Sequence, residues 1–119
     1  MFHFRKIMRS FHYALKGLFL IFKEEQSFRV QVVAAVVVVV IMFVFPTKNW
    51  EKVALILVTS WVLVLELINS ILERMADILK PRMHLGVEAV KDIMAAAVFI
   101  ASFTALIIGL IIFIPYVRS

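Results

Sequence analysis

The chain has 119 residues, of which 64% are hydrophobic and 18% charged, and its mean hydropathy is +1.03. An average soluble domain is about 45–50% apolar, so the composition excludes an ordinary soluble domain and a disordered chain, and the absence of cysteine excludes disulfide scaffolds, thiol catalysis and thiolate metal sites. The net charge of +5 comes from basic residues that flank apolar segments, which favours a role in membrane topology over binding to nucleic acid. The sequence therefore predicts a single integral membrane domain over residues 1–119.

The first 28 residues are predicted to form an amphipathic helix on the membrane surface. Apolar residues recur there at spacings of three and four, and cations occupy the intervening positions. This pattern is typical of a helix that lies in the headgroup layer with its basic face near anionic lipid. The apolar positions are Phe4, Ile7, Met8, Phe11, Leu15, Leu18, Phe19 and Phe22.

Three apolar segments follow, at about residues 30–45, 53–72 and 93–116. The first is short for a span, which needs roughly 20 residues, so the residues around Phe28 are expected to complete it. The predicted fold class is an all-α membrane protein with three transmembrane helices and one surface helix.

The distribution of cations predicts the orientation. Ten of the 13 Lys and Arg residues precede the first span or lie between the second and third. Under the positive-inside rule these segments are cytoplasmic. We therefore expect a cytoplasmic N-terminus and an external C-terminus in the bacterial cytoplasmic (inner) membrane.

The second span carries four polar residues, Glu66, Asn69, Glu73 and Asp77, at spacings of three, four and four. In a helix they share one face, and Glu66 lies about 10 Å deeper than Glu73. A carboxylate at that depth is costly and marks a functional site, so Glu66 is a candidate general base. Glu73 and Asp77 are suited to a hard divalent cation. The alternative is that Glu66 and Asn69 form hydrogen bonds between helices in an oligomer.

Two further clusters lie near the predicted cytoplasmic side. Lys91 and Asp92 begin the third span, where the lysine could contact a phosphate. Glu24 and Glu25 lie at the hinge between the surface helix and the first span, and Glu25 could complete a metal site with Glu73. His84 is either a ligand or a polar contact of the loop before the third span.

The residues of these clusters resemble one known family. The segment from Glu66 to Glu73 reads ELINSILE and is followed by Asp77; Lys91-Asp92 precedes an alanine-rich run, and Glu25 begins the sequence EQSFR. These features are similar to those of the prokaryotic diacylglycerol kinase and undecaprenol kinase family, over nearly the whole chain.

The resemblance implies a homotrimer with active sites shared between subunits and phosphorylation of a lipid hydroxyl by ATP with Mg²⁺. Glu66 is then expected to be the catalytic base, and Glu25 and Glu73 the metal ligands. Nucleotide contacts are expected at Lys6, Tyr13, Asn69, Asp77, His84, Lys91 and Asp92. Lipid-substrate contacts are expected at Phe28, Arg29 and Ala95.

Two positions bear on the lipid substrate. Gln31 and Ala95 stand where the Gram-negative diacylglycerol kinases carry an acid and a serine, and residues 80–84 with the alanine-rich run resemble the undecaprenol kinase branch. Undecaprenol is therefore the first expected substrate and diacylglycerol the second. A proton- or cation-coupled transporter is the alternative from another class, although transport carboxylates lie near the midplane.

Overall fold

A computed structural model describes residues 3–79 and 84–118, with only the backbone of residues 84 and 85. The described residues form four helices: α1 (Phe4–Glu24), α2 (Gln26–Val44), α3 (Asn49–Leu79) and α4 (His84–Arg118). Helices α2, α3 and α4 are long and apolar enough to cross a membrane, and the described residues contain no strand. The predicted all-α membrane fold is confirmed.

Helix α1 lies beside the bundle rather than within it. Ile21 is its only buried residue among those described, and its apolar side chains from Phe4 to Phe19 are exposed. Its cations lie between these apolar positions along the helix, as an interfacial helix requires. An apolar face of this kind can be covered by the headgroup layer of a membrane.

The bend between α1 and α2 occurs at Glu25, within the predicted hinge. Its backbone is extended (φ −111°, ψ 112°), and it both ends α1 and precedes α2. The Arg29 guanidinium donates hydrogen bonds to the carbonyls of Phe22 (3.0 Å) and Lys23 (2.8 Å). Because the last carbonyls of a helix lack partners within it, Arg29 caps α1.

Helices α3 and α4 extend well beyond the apolar segments at 53–72 and 93–116. At 1.5 Å per residue, their 31 and 35 residues measure about 46 and 52 Å, against a hydrocarbon core of about 30 Å. The extra turns contain the charged residues around Glu73 and Lys91. These residues therefore project beyond the hydrocarbon layer on rigid helices rather than on loops.

The three long helices are fastened together at the end opposite those charged residues. Met42, Leu55 and Ile112, one from each helix, form a buried cluster. Beside it, the Tyr116 hydroxyl donates a hydrogen bond to the buried carboxylate of Glu51. Most other large apolar side chains are exposed, so lipid tails or further protein must cover them in a membrane.

Candidate active site

The carboxylate of Glu66 is buried between α3 and α2. Glu66 is 4% exposed, and its Oε2 accepts a hydrogen bond from the Ser27 hydroxyl at 3.3 Å. Ser27 lies in the first turn of α2, immediately after the bend at Glu25. A buried carboxylate needs hydrogen-bond donors to offset its lost hydration, and Ser27 is the described residue that supplies one.

The polar face of α3 becomes progressively more exposed from Glu66 to Asp77. Asn69 and Glu73 are half-buried, and the Asn69 side-chain amide donates to Glu73 Oε1 at 3.4 Å. One turn further, the side chain of Asp77 is 67% exposed. The face thus begins with a buried carboxylate at Glu66 and ends with an exposed one at Asp77. This arrangement is expected where a lipid hydroxyl meets a water-soluble substrate.

Helix α4 contributes Lys91 to this face. Its ammonium group lies 3.3 Å from Asp77 Oδ1. Exposed pairs of this kind contribute little to stability, so Lys91 can exchange Asp77 for another anion at low cost. Asp92, the next residue, is exposed on α4.

A third carboxylate approaches from the hinge. It belongs to Glu25, which is half-buried. Arg74, which follows Glu73, lies 2.7 Å from Glu24 and 3.6 Å from Glu25. The candidate site therefore contains carboxylates from the hinge and from α3, with one arginine beside them.

The donor set suits Mg²⁺ rather than a softer metal. Within residues 3–79 and 84–118, no group of three or more His, Asp or Glu is arranged to hold a metal ion. Mg²⁺, however, is commonly bound by one or two carboxylates together with substrate phosphates and water. Glu25 and Glu73 provide oxygen ligands of that kind, so the residues fit the cation.

Among the described residues, the other predicted site positions make no side-chain hydrogen bond or ion pair with the carboxylates of this cluster. Lys6 and Tyr13 are exposed on α1, and Ala95 is exposed on α4. Phe28 is buried, and the Arg29 guanidinium caps α1 as described above. The side chain of His84 and the segment 80–83 lie outside the described residues. No contact within the described part of the chain ties these residues to nucleotide or lipid binding, so those roles stay predictions.

Ser27 and Arg74 are site residues that were not predicted from the sequence. Ser27 is one polar residue at the start of an apolar segment, and Arg74 looks like any charge on a solvated helix end. Their positions depend on which faces of α2 and α3 meet. No local pattern in one sequence reveals that.

The fold and the site define a class: a small integral membrane enzyme whose carboxylates begin inside the bilayer and continue out of it. Comparison with known proteins gives the family. The sequence model of the prokaryotic diacylglycerol kinase family matches residues 12–113. The chain belongs to this family and is a lipid kinase, a phosphotransferase that acts on an alcohol group, and the family predicted from the motifs is confirmed.

Curated relatives carry two different substrate names. The chain is 29% identical to the undecaprenol kinase of Bacillus subtilis over 110 residues, which are 92% of this chain and 89% of that protein. It is 30% identical to a diacylglycerol kinase of Pseudomonas aeruginosa over 97 residues, which are 82% of this chain and 79% of that protein. A diacylglycerol kinase of Synechocystis is 28% identical over 114 residues, 95% of this chain and 65% of that protein. Because a kinase of this family uses ATP as its phosphate donor, the comparisons also support ATP as the co-substrate.

Proposed function

We propose that this lipid kinase phosphorylates undecaprenol, with diacylglycerol as the second candidate. The similarity to the undecaprenol kinase covers 92% of this chain and 89% of that relative. Gln31 and Ala95 point the same way, since neither supplies the acid or serine of the Gram-negative diacylglycerol kinases. Diacylglycerol remains a candidate because two relatives bear that name.

In the proposed reaction Glu66 is the general base. The lipid hydroxyl lies beside its carboxylate, and Glu66 accepts the hydroxyl proton as the lipid oxygen attacks the γ-phosphorus of ATP in line. The bond between the γ-phosphorus and the β–γ bridging oxygen breaks, and ADP leaves. The observation that supports this role is the buried Glu66 carboxylate, whose Oε2 accepts a hydrogen bond from the Ser27 hydroxyl.

Glu25 and Glu73 are proposed to hold Mg²⁺. When bound, the cation offsets the negative charge of the phosphates. Asn69, which donates to Glu73 at 3.4 Å, keeps that carboxylate oriented on the site side of α3.

The nucleotide is proposed to be bound by cations and polar side chains instead of a glycine-rich loop. Lys91 lies where it can exchange Asp77 for a phosphate. Asp92 follows it on α4. The remaining contacts are proposed for Lys6, Tyr13 and His84.

The assembly and orientation are also proposed. A homotrimer with shared sites is supported by the exposed apolar surface of the bundle and by the exposure of α1, of which only Ile21 is buried among the described residues. The cation distribution supports a site on the cytoplasmic side of the bacterial inner membrane.

The lipid assignment is tested with purified protein in mixed micelles with Mg²⁺ and γ-labelled ATP. Undecaprenol and diacylglycerol are offered separately, and triacylglycerol, which has no hydroxyl group, is the matched control lipid. Label chiefly on undecaprenol supports the proposal, whereas label chiefly on diacylglycerol transfers it to the second candidate. Label on neither lipid, from folded protein, would contradict the proposed activity.

A further inference from the structure

Two arginines, from different helices, hold the bend between α1 and α2. Arg29 caps the end of α1 from within α2. Arg74 reaches the bend from α3 and contacts both of its glutamates. The Arg29 cap involves only α1 and α2. The Arg74 contact, in contrast, joins the bend to α3, the helix that carries Glu66.

The contacts of Arg74 with the two glutamates are unequal. Its Nη2 donates to Glu24 Oε1 at 2.7 Å, a short charge-assisted hydrogen bond, but lies 3.6 Å from Glu25 Oε1. The longer separation exceeds hydrogen-bonding distance. Glu24 therefore accepts the hydrogen bond of the arginine, whereas Glu25 forms only a longer ion pair with it.

Glu24 is also the last residue of α1. The amide of Glu25 donates a hydrogen bond to the carbonyl of Ile21 at 2.8 Å. The last turn of α1 is therefore still helical at Glu24, the residue that Arg74 binds. Since Ile21 is the only buried residue of α1 among those described, little else fixes the direction in which this helix leaves the bundle.

We propose that Arg74 is a positioning residue that, by binding Glu24, fixes the end of α1 against α3 and so sets the direction of the helix that carries Lys6 and Tyr13. We call this Arg74–Glu24 contact the hinge latch. The proposal rests on the proposed function where it assigns Lys6 and Tyr13 to the nucleotide. The two adjacent acids then have different roles: Glu24 positions α1, and Glu25 binds the metal.

The hinge latch is tested by charge reversal in the full chain, reconstituted in lipid nanodiscs. Arg74→Glu and Glu24→Arg are each expected to speed hydrogen exchange of the amides at residues 21–25 and to raise the KM for ATP roughly three- to tenfold, with kcat nearly unchanged. The double variant, which restores the pair with its charges swapped, is expected to recover both properties. Such recovery separates positioning from a general loss of stability.

Three further variants sharpen the test. Lys23→Glu makes the same change of charge as Arg74→Glu, next to the hinge latch but on a side chain that Arg74 does not contact. It is expected to alter neither the hydrogen exchange at residues 21–25 nor the KM for ATP. Glu25→Gln is expected to leave hydrogen exchange unchanged while raising the Mg²⁺ requirement. If Arg74→Glu fails to fold, Arg74→Gln replaces it, because it removes the positive charge without adding a negative one. The same two properties are then measured.

Unchanged hydrogen exchange and KM in Arg74→Glu, or a swapped pair that recovers neither, would overturn the hinge latch. An effect of Glu25→Gln on exchange as large as that of Glu24→Arg would also overturn it. The proposed function fails separately, through absence of lipid phosphorylation by the wild-type protein. In that case the exchange measurement and its recovery still decide whether the latch exists.

Discussion

The hydrogen bond from Ser27 to Glu66 makes a quantitative prediction about turnover. Hydrogen bonds to charged groups contribute about 1.5–3 kcal/mol. The 3.3 Å distance is long for a hydroxyl donor and Ser27 is exposed, so we take about 1 kcal/mol. If the bond holds the base in its working position, Ser27→Ala should lower kcat about fivefold.

The assay is the initial rate of labelled phosphate transfer to lipid at saturating ATP and lipid. The KM for ATP should not change, because Ser27 does not contact the nucleotide in this account, and Ser27→Thr should recover kcat because it keeps the hydroxyl. Ser60→Ala is the matched control: the Ser60 hydroxyl bonds only to carbonyls of its own helix, at 2.6 and 3.2 Å. Unchanged kcat in Ser27→Ala, or an equal loss in Ser60→Ala, would show that the hydrogen bond from Ser27 does not support turnover.

Three other predictions concern the metal, the nucleotide and stability. Glu25→Gln and Glu73→Gln should each raise the Mg²⁺ concentration that gives the half-maximal rate by about tenfold or more. The reason is that losing a ligand that contributes about 1.4 kcal/mol weakens binding about tenfold. An unchanged Mg²⁺ titration would contradict the ligand assignment. Lys91→Ala should reduce kcat/KM for ATP at least about tenfold but hardly alter thermal stability, because its pair with Asp77 is exposed; the reverse pattern would make that pair structural. Tyr116→Phe should lower the temperature of thermal unfolding, since it removes a hydrogen-bond donor from the Glu51 carboxylate. Its kcat should be unaffected, because the partner of Tyr116 lies about 22 Å along α3 from Glu66; a loss of kcat would contradict that separation.

The membrane fold was predictable from the sequence because hydropathy is a local property. Lipid requires about 20 apolar residues of any span, and the three helices contain such stretches. The shared face from Glu66 to Asp77 was predictable for a similar reason, since helical periodicity alone sets it. The lengths of α3 and α4 were not, because a helix can continue into water without any change that hydropathy records.

The contacts between helices could not be predicted from one sequence. Which acid Arg74 would bind depends on the rotation of α3 relative to the bend, and the sequence offers Glu24, Glu25 and Glu73 equally. The partner of Glu66 likewise depends on how α2 packs on α3, and Ser27 carried no pattern of its own.

The most direct test of the account is the turnover of Glu66→Gln, measured with γ-labelled ATP, Mg²⁺ and the preferred lipid in mixed micelles. We expect a folded protein whose kcat falls by a factor of about 10²–10⁴, the usual contribution of a general base. Glu88→Gln, an exposed acid on α4 outside the proposed machinery, is the control and should retain activity. Turnover of Glu66→Gln close to that of the wild-type protein would contradict the assignment of Glu66 as the base.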